Sequence, residues 1–438
     1  MASIEKRVIS AILSTIRARW DSVAQNSRVQ AGSPAVVAPA KLREASFADF
    51  RGVVELKRRW GLLEDSVENW NHLWKQNPAL PRMSVEPPIG WVLEAEGRIV
   101  GYLGNISLLC RYGDRTLTAV AGHGMAVDPP YRSLSLALVA AFFRQRSVDL
   151  YLSTTAKEPV ARMARAFQSN VMPQPDYDSV LFWVLRPHPF SKSVMTMLGI
   201  NSMLASTGSV LATLALSTDT SLRRRRPRRT SAGFAVSEVS IDEIGRSFQD
   251  LWREKLKEEP RLYADRSLET MRWHFEIPGD RSNTRVLSCS NHGELRGYAV
   301  IRDEAPDETT GLLRSIIADM MVKKDDPAVV EALMVAAYTH AKKTGSHILE
   351  LWGFPESIRR TCAQWHPYTR RLRACPYHYK ASDPTLHQVL SEGAAWYACP
   401  FDGDSTLSTR LPSISMAEAD GESDVASIVQ EGTATLVP

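Results

Sequence analysis

Two long stretches of this chain, 41–189 and 234–407, pass through the same order of elements, and that repetition limits the folds open to it. In the first stretch, helical periodicity over 47–60 and 67–76 precedes two strand-like runs, 89–94 and 98–109, joined through Glu96-Gly97 as a hairpin. A long strand pattern at 115–127 follows, then a helix (133–146), a short buried strand (148–153), a helix (159–168) and a closing strand (179–185). The second stretch repeats the order: helices over 242–256 and 267–275, a hairpin of 284–289 and 295–302, and a strand at 312–321. A long helix (327–344), a strand (347–351) and a helix (355–364) complete it. The chain reads as an α/β (α+β) protein with a divergent internal repeat.

Its 438 residues, 44% hydrophobic with a net charge of +4, suffice for two or three domains and exclude disorder of the whole. Cys110, Cys289, Cys362, Cys375 and Cys399 are scattered without paired spacing. They suggest neither a disulfide framework nor a metal site, and a reducing cytoplasm is the simplest compartment. At the N-terminus, Ile4, Val8, Ile12 and Ile16 recur at helical spacing among Lys6, Arg7, Arg17 and Arg19, which predicts an amphipathic helix within 1–30 rather than a secretory signal. A packing role is the simpler reading of that helix and a membrane-surface anchor the alternative. A Gly/Ser/Pro/Ala linker follows at 31–40, and an acidic, small-residue tail at 408–438 is expected to be disordered.

Between the repeats, 191–232 begins apolar and ends in Arg223 to Arg226, Arg228 and Arg229. Asn201 and many Ser, Thr and Gly residues dilute the apolar part below a bilayer-spanning helix. A helix lying against the domains is expected, with peripheral contact at an anionic inner-membrane surface through 193–229 as the second reading. The arginines read as a solvated linker. With no interleaved aromatics they give no support to nucleic acid binding.

The stretch carrying chemistry is 118–137, TAVAGHGMAVDPPYRSLSLA. A strand that stops at Pro129-Pro130 and opens into a helix presents unpaired N–H groups at the positive end of the helix dipole, a setting for phosphate. Arg132, Ser133 and Ser135 add a cation and hydroxyls, and Ala137 adds little bulk. The run V-x-P-x-Y-R, continuing as Arg132-Ser133-Leu134-Ser135-Leu136-Ala137, resembles motif A of the GNAT acyltransferase superfamily, with Ser135 where that family has its first glycine. Trp70, Trp74, Asn77-Pro78, the 271–275 run MRWHF and the 396–404 run WYACPFDGD also resemble bacterial double-GNAT proteins.

The resemblance implies two tandem GNAT-like domains, 41–190 and 233–407, each a mixed, mostly antiparallel sheet flanked by helices, with acetyl-CoA or another acyl-CoA as co-substrate. Motif A would hold the pyrophosphate through Arg132, Ser133, Leu134, Ser135, Leu136 and Ala137. The backbone of Met125 and Val127 would bond the pantetheine arm, with Ser153, Thr154 and Thr155 supplying hydroxyls. In the second repeat the equivalent turn is Lys323-Lys324-Asp325-Asp326-Pro327, whose carboxylates would repel a pyrophosphate, so that half is not expected to bind coenzyme A.

Acyl transfer to an amine needs a base. Alternation places His123 on the same strand face as Met125 and Val127, and its ring suits proton transfer near neutrality. A hydrogen-bonded structural histidine is the alternative, and Asp128 is the next candidate, otherwise a cap of the turn. The helix where the family carries its acid tyrosine has Phe167 and no tyrosine; Tyr177, just beyond it, is the candidate catalytic acid, and Tyr151 lies on the preceding strand. The acceptor implied is an amino group of a sugar, glycan or other small metabolite. The competing reading is a GNAT-shaped binding or scaffold protein, catalytically inactive, at a membrane-associated assembly.

Overall fold

Glu96 and Gly97 both take left-handed backbone conformations (φ 51° and 75°) and form the tight turn between β2 (Gly90–Ala95) and β3 (Arg98–Tyr112). His292 and Gly293 (φ 48° and 82°) do the same between β10 (Thr284–Asn291) and β11 (Glu294–Asp303). Each hairpin is the nucleus of one sheet. The computed structural model describes residues 38–62, 65–155, 158–200, 202–229, 233–278, 283–372 and 377–407. The helix expected within 1–30, most of the linker at 31–40, Cys375 and the tail at 408–438 lie outside the described residues.

An 8-stranded sheet has the order β1 (Lys41–Glu44), β2, β3, β4 (Arg115–Val127), β5 (Leu150–Ser153), β15 (His378–Ala381), β6 (Asn170–Val171), with β9 (Leu262–Ala264) added against β3. A 7-stranded sheet runs β14 (Tyr368–Arg371), β7 (Ser179–Val184), β13 (Ile348–Trp352), β12 (Arg314–Val322), β11, β10, β8 (Ala235–Val239). Pairing is antiparallel except between β4 and β5 and between β12 and β13. Helices flank both sheets, so the expected mixed, mostly antiparallel architecture holds.

One strand departs from its expected place. β7 was to close the first repeat, yet it lies between β13 and β14 of the second sheet, and β15, from the second repeat, enters the first sheet beside β5. The reason is legible in its burial. All of β7 is buried, with Leu181 and Trp183 in one core and Phe182 and Val184 in another, so it needs an interior position with cover on both faces. The exchange also covers the edges that β5 and β13 would otherwise expose. Among the described residues, those from Ala40 to Leu407 form one compact unit.

Local signals account for the flanking helices. Ser66 accepts the Asn69 amide to open the helix Val67–Lys75, and Ser267 accepts that of Thr270 to open its counterpart, Leu268–Phe275. Asp326, Pro327 and the left-handed Gly345 (φ 93°) bracket the helix Pro327–Thr344, which matches its expected bounds. Across the start of 191–232 and within it, the helices Pro187–Met197 and Ser202–Leu222 pack on each other. Among the described residues no helix is long and apolar enough to cross a membrane. The arginine run is not wholly solvated as expected: Arg225 bonds Asp219 at 2.6 Å and lies 4.1 Å over the Tyr368 ring, where it can both pair and stack.

Candidate active site

Parallel pairing of β4 with β5 covers only Ala119, Ala121 and the residue between them, opposite Leu150 to Leu152, while β4 continues to Val127. The two strands therefore part company, leaving backbone groups of β4 without a strand partner on that side. A bulge accompanies the parting. Tyr102 faces Ala126 and Gly104 faces His123, so Gly124 and Met125 together oppose Leu103. Gly124 makes this possible with φ 62°, a conformation that costs other residues energy.

The bulge corrects the placement of His123. Ala119, Ala121 and Ala126 face the core beneath the helices Phe50–Arg59 and Val67–Lys75, whereas Val120, Met125 and Val127 face the helix Ser135–Phe143. Alternation up to the bulge puts His123 with Ala119 and Ala121, on the face opposite Met125 and Val127, because the extra residue resets the period.

His123 is 8% exposed, and its Nδ1 lies 3.0 Å from Oδ2 of Asp404. The Asp404 carboxylate also accepts the Thr154 hydroxyl at 2.5 Å and the Thr155 hydroxyl at 3.0 Å. Thr154 and Thr155 thus stand at the end of β5 as expected, but with their hydroxyls turned to Asp404. Sequence reasoning missed Asp404, since it lies 281 residues from His123. The available signal was the WYACPFDGD run, too apolar to belong to the acidic tail it precedes. That run is buried, and it touches both halves: the Tyr397 hydroxyl donates to the Met320 carbonyl on β12, and the Gln174 side-chain amide donates to the Ala398 carbonyl.

The turn after β4 differs from an open phosphate cradle. Pro129–Leu134 is a 3-10 helix running directly into Ser135–Phe143; the Tyr131 amide bonds the Asp128 carbonyl and that of Ser135 the Arg132 carbonyl. The amides of Arg132, Ser133 and Leu134 are thereby directed back into the turn. Pro129-Pro130 brings this about, supplying no N–H and a φ already suited to a helix. Arg132 and Ser133 remain exposed, Arg132 5.0 Å over the Trp60 ring. Leu134 packs on the core, Leu136 is exposed, and Ser135 and Ala137 are half-buried. Asp128 makes no side-chain cap; it pairs with Arg59 at 2.8 Å and Arg98 at 3.8 Å, so three arginines gather at the rim.

Ser153 ends β5 opposite His378, and the Tyr151 hydroxyl donates to the Gln145 carbonyl. Tyr177 is buried edge-on to Tyr377, 5.2 Å between ring centres, in the core that also holds Trp396. The structure therefore brings His123, Thr154 and Thr155 together around Asp404 and sets Tyr177 within an aromatic pair.

The second half keeps the bulge, at Ala318, and the parting of β12 from β13 after Ile316. Its opening is filled by the chain itself, through Tyr397, Ala398 and Cys399. Arg266 fixes this segment, 3.0 Å from both Asp319 and Asp402. At the turn, Asp325 does not repel an outside anion so much as replace one: it pairs with Lys255 and Arg261 at 2.7 and 2.8 Å.

No protein-family model matches the chain, and no curated protein matches it in sequence. A GCN5-related N-acetyltransferase from Anabaena variabilis superimposes with a TM-score of 0.50 at 10% identity, covering 79% of this chain and 73% of its own. A probable N-acyltransferase from Enterococcus faecalis superimposes with a TM-score of 0.51 at 8% identity, again over 79% and 73%. The parted parallel strands, the bulge and these likenesses together establish that the chain carries the fold of the GCN5-related N-acetyltransferases.

Proposed function

We propose that this protein is an acyl-coenzyme A-dependent N-acyltransferase whose first half binds the thioester and whose acceptor is an amino group of a sugar or other small metabolite. The observation that carries the reading is the parting of β4 from β5 beside His123. A thioester arm laid there would meet the free backbone of Met125 and Val127, with Ser153 at the edge. Arg132 and the Ser133 hydroxyl, on the exposed rim with Arg98, supply charge for a pyrophosphate in place of inward-turned amides. The amine nitrogen attacks the thioester carbonyl carbon; the C–N bond forms, the C–S bond breaks, and His123 Nε2 takes the proton from nitrogen. The departing thiolate takes its proton from water, because the Tyr177 ring belongs to a core pair.

Calorimetric titration of the protein with acetyl-CoA tests this reading. Micromolar binding that weakens at least tenfold in Arg132→Glu is expected, and no binding by the parent protein would overturn it.

A second reading, an inactive scaffold, draws on the 3-10 turn and on the engagement of Thr154 and Thr155 by Asp404. Val210 and Leu214, exposed on the helix Ser202–Leu222, and the exposed Arg224, Arg226 and Arg228 that follow it would suit it to an anionic membrane surface. Thioester turnover against a panel of amines decides against it.

A further inference from the structure

Asp404 is 1% exposed at its side chain, and a buried carboxylate persists only where its environment satisfies it. Here Thr154 and Thr155 donate hydroxyls, and His123 Nδ1 completes the set. Having no proton to give, the carboxylate requires the hydrogen on Nδ1, which leaves the lone pair on Nε2. No hydrogen bond engages Nε2 among the described residues.

The segment that delivers Asp404 is anchored on both sides. Gly403 adopts φ 140°, and a Cβ there would come within 2.5 Å of Thr154 Cγ2, so the backbone reaches the end of β5 only as glycine. Past it, the Thr406 carbonyl accepts from Arg302 at 3.2 Å, the Thr406 hydroxyl meets His274 Nδ1 at 2.9 Å, and Leu407 is fully buried. Such anchoring exceeds what a chance surface contact needs and fixes the carboxylate in position.

We propose that Asp404 is the positioning residue for His123, fixing its Nδ1–H tautomer, so that the base of the first half is set by the C-terminal segment that also plugs the second. This rests on the reading of His123 as the base. The same arrangement explains why one chain keeps both halves when one opening is filled: the filled half holds the strap that orients the working one.

The test is imidazole nitrogen NMR on the full chain, assigned with His123→Gln, alongside steady-state kinetics. Recorded at a pH where its ring is neutral, the parent is expected to carry the hydrogen on Nδ1. In Asp404→Asn the threonine hydroxyls hold the amide oxygen and turn the NH2 toward Nδ1, so the ring switches to Nε2–H. The kcat then falls on the order of 10²-fold or more, while the KM for acyl-CoA stays within about twofold. Asp404→Glu retains Nδ1–H and part of kcat. An Nε2–H ring in the parent, or an unaltered tautomer in Asp404→Asn, would overturn the proposal whether or not the protein turns over. Absence of turnover in a parent with the Nδ1–H ring would instead sink the acyltransferase reading and leave the pairing standing.

Discussion

Lys255 Nζ lies 2.7 Å from Asp325 Oδ1 inside the second half, at the turn equivalent to the exposed Arg132–Ser133 rim of the first. Arg261 and the Ser357 hydroxyl hold the other oxygen, at 2.8 and 2.6 Å. The repeat has thus acquired an internal anion where its twin faces solvent. Burial, the largest single influence, would raise the Asp325 carboxyl, but Lys255, the Ser357 hydroxyl and Arg261 together outweigh it and keep the group below its usual value.

Removing that carboxylate leaves a buried ammonium with Glu258 as its remaining acidic partner. Asp325→Ala should cost about 3–5 kcal/mol in urea unfolding. Because the folded-state value is depressed, the contribution is present above the unfolded carboxylate value of about 3.9 and is lost as pH falls through the folded one. The gap between parent and variant should therefore narrow in acid; a gap that stays constant down to strong acid would count against the pairing.

Arg266 is a stronger case, since its guanidinium joins two carboxylates, Asp319 and Asp402, all three buried. Arg266→Met leaves both without their cation and should destabilise by about 3–5 kcal/mol. A double-mutant cycle with Asp402→Asn should show strong coupling, because the pair shares one hydrogen-bonded unit. Additive effects would show that the strap is held by its aromatic residues instead.

His340 behaves in the opposite sense. Its Nε2 is 2.9 Å from Asp303 and its Nδ1 3.3 Å from Glu238; the bond to Asp303 raises its pKa above the ordinary histidine value, against the lowering effect of burial. A raised value means stability fully present below about pH 6.5 and lost as pH rises through the folded pKa. The loss of stability in His340→Gln should be largest in mild acid and should shrink toward alkaline pH. A difference that grows with pH would refute the assignment.

Much of this was legible from local signals. The Glu96-Gly97 turn, the bracketing of Pro327–Thr344 and the order of elements in each repeat depend on neighbours in sequence, and they fall where periodicity and caps place them. What local pattern could not carry was long-range. The exchange of β7 and β15 depends on which sheet can cover both faces of a strand, and Asp404 meets His123 only after the whole chain has folded. His123 itself was found, but its face was misread because strict alternation ignores the extra residue at Gly124.

Gly124 offers the sharpest test of that bulge. Its φ of 62° is left-handed, and an added Cβ would lie 3.1 Å from Lys57 Nζ, a side chain buried against Asp65 and slow to yield. Gly124→Ala should cost about 1–2 kcal/mol from backbone strain alone. Gly293 is an internal control: its φ is 82°, yet no atom lies within 4 Å of its added Cβ, and it sits in the hairpin turn of the second half. Both substitutions should lower stability in thermal unfolding, Gly124→Ala by more, because only there must the Lys57 side chain also shift. Only Gly124→Ala should also weaken acetyl-CoA binding, since only there does the strand's departure from β5 depend on the glycine. Equal binding by the two variants would mean that the parted strands do not receive the thioester.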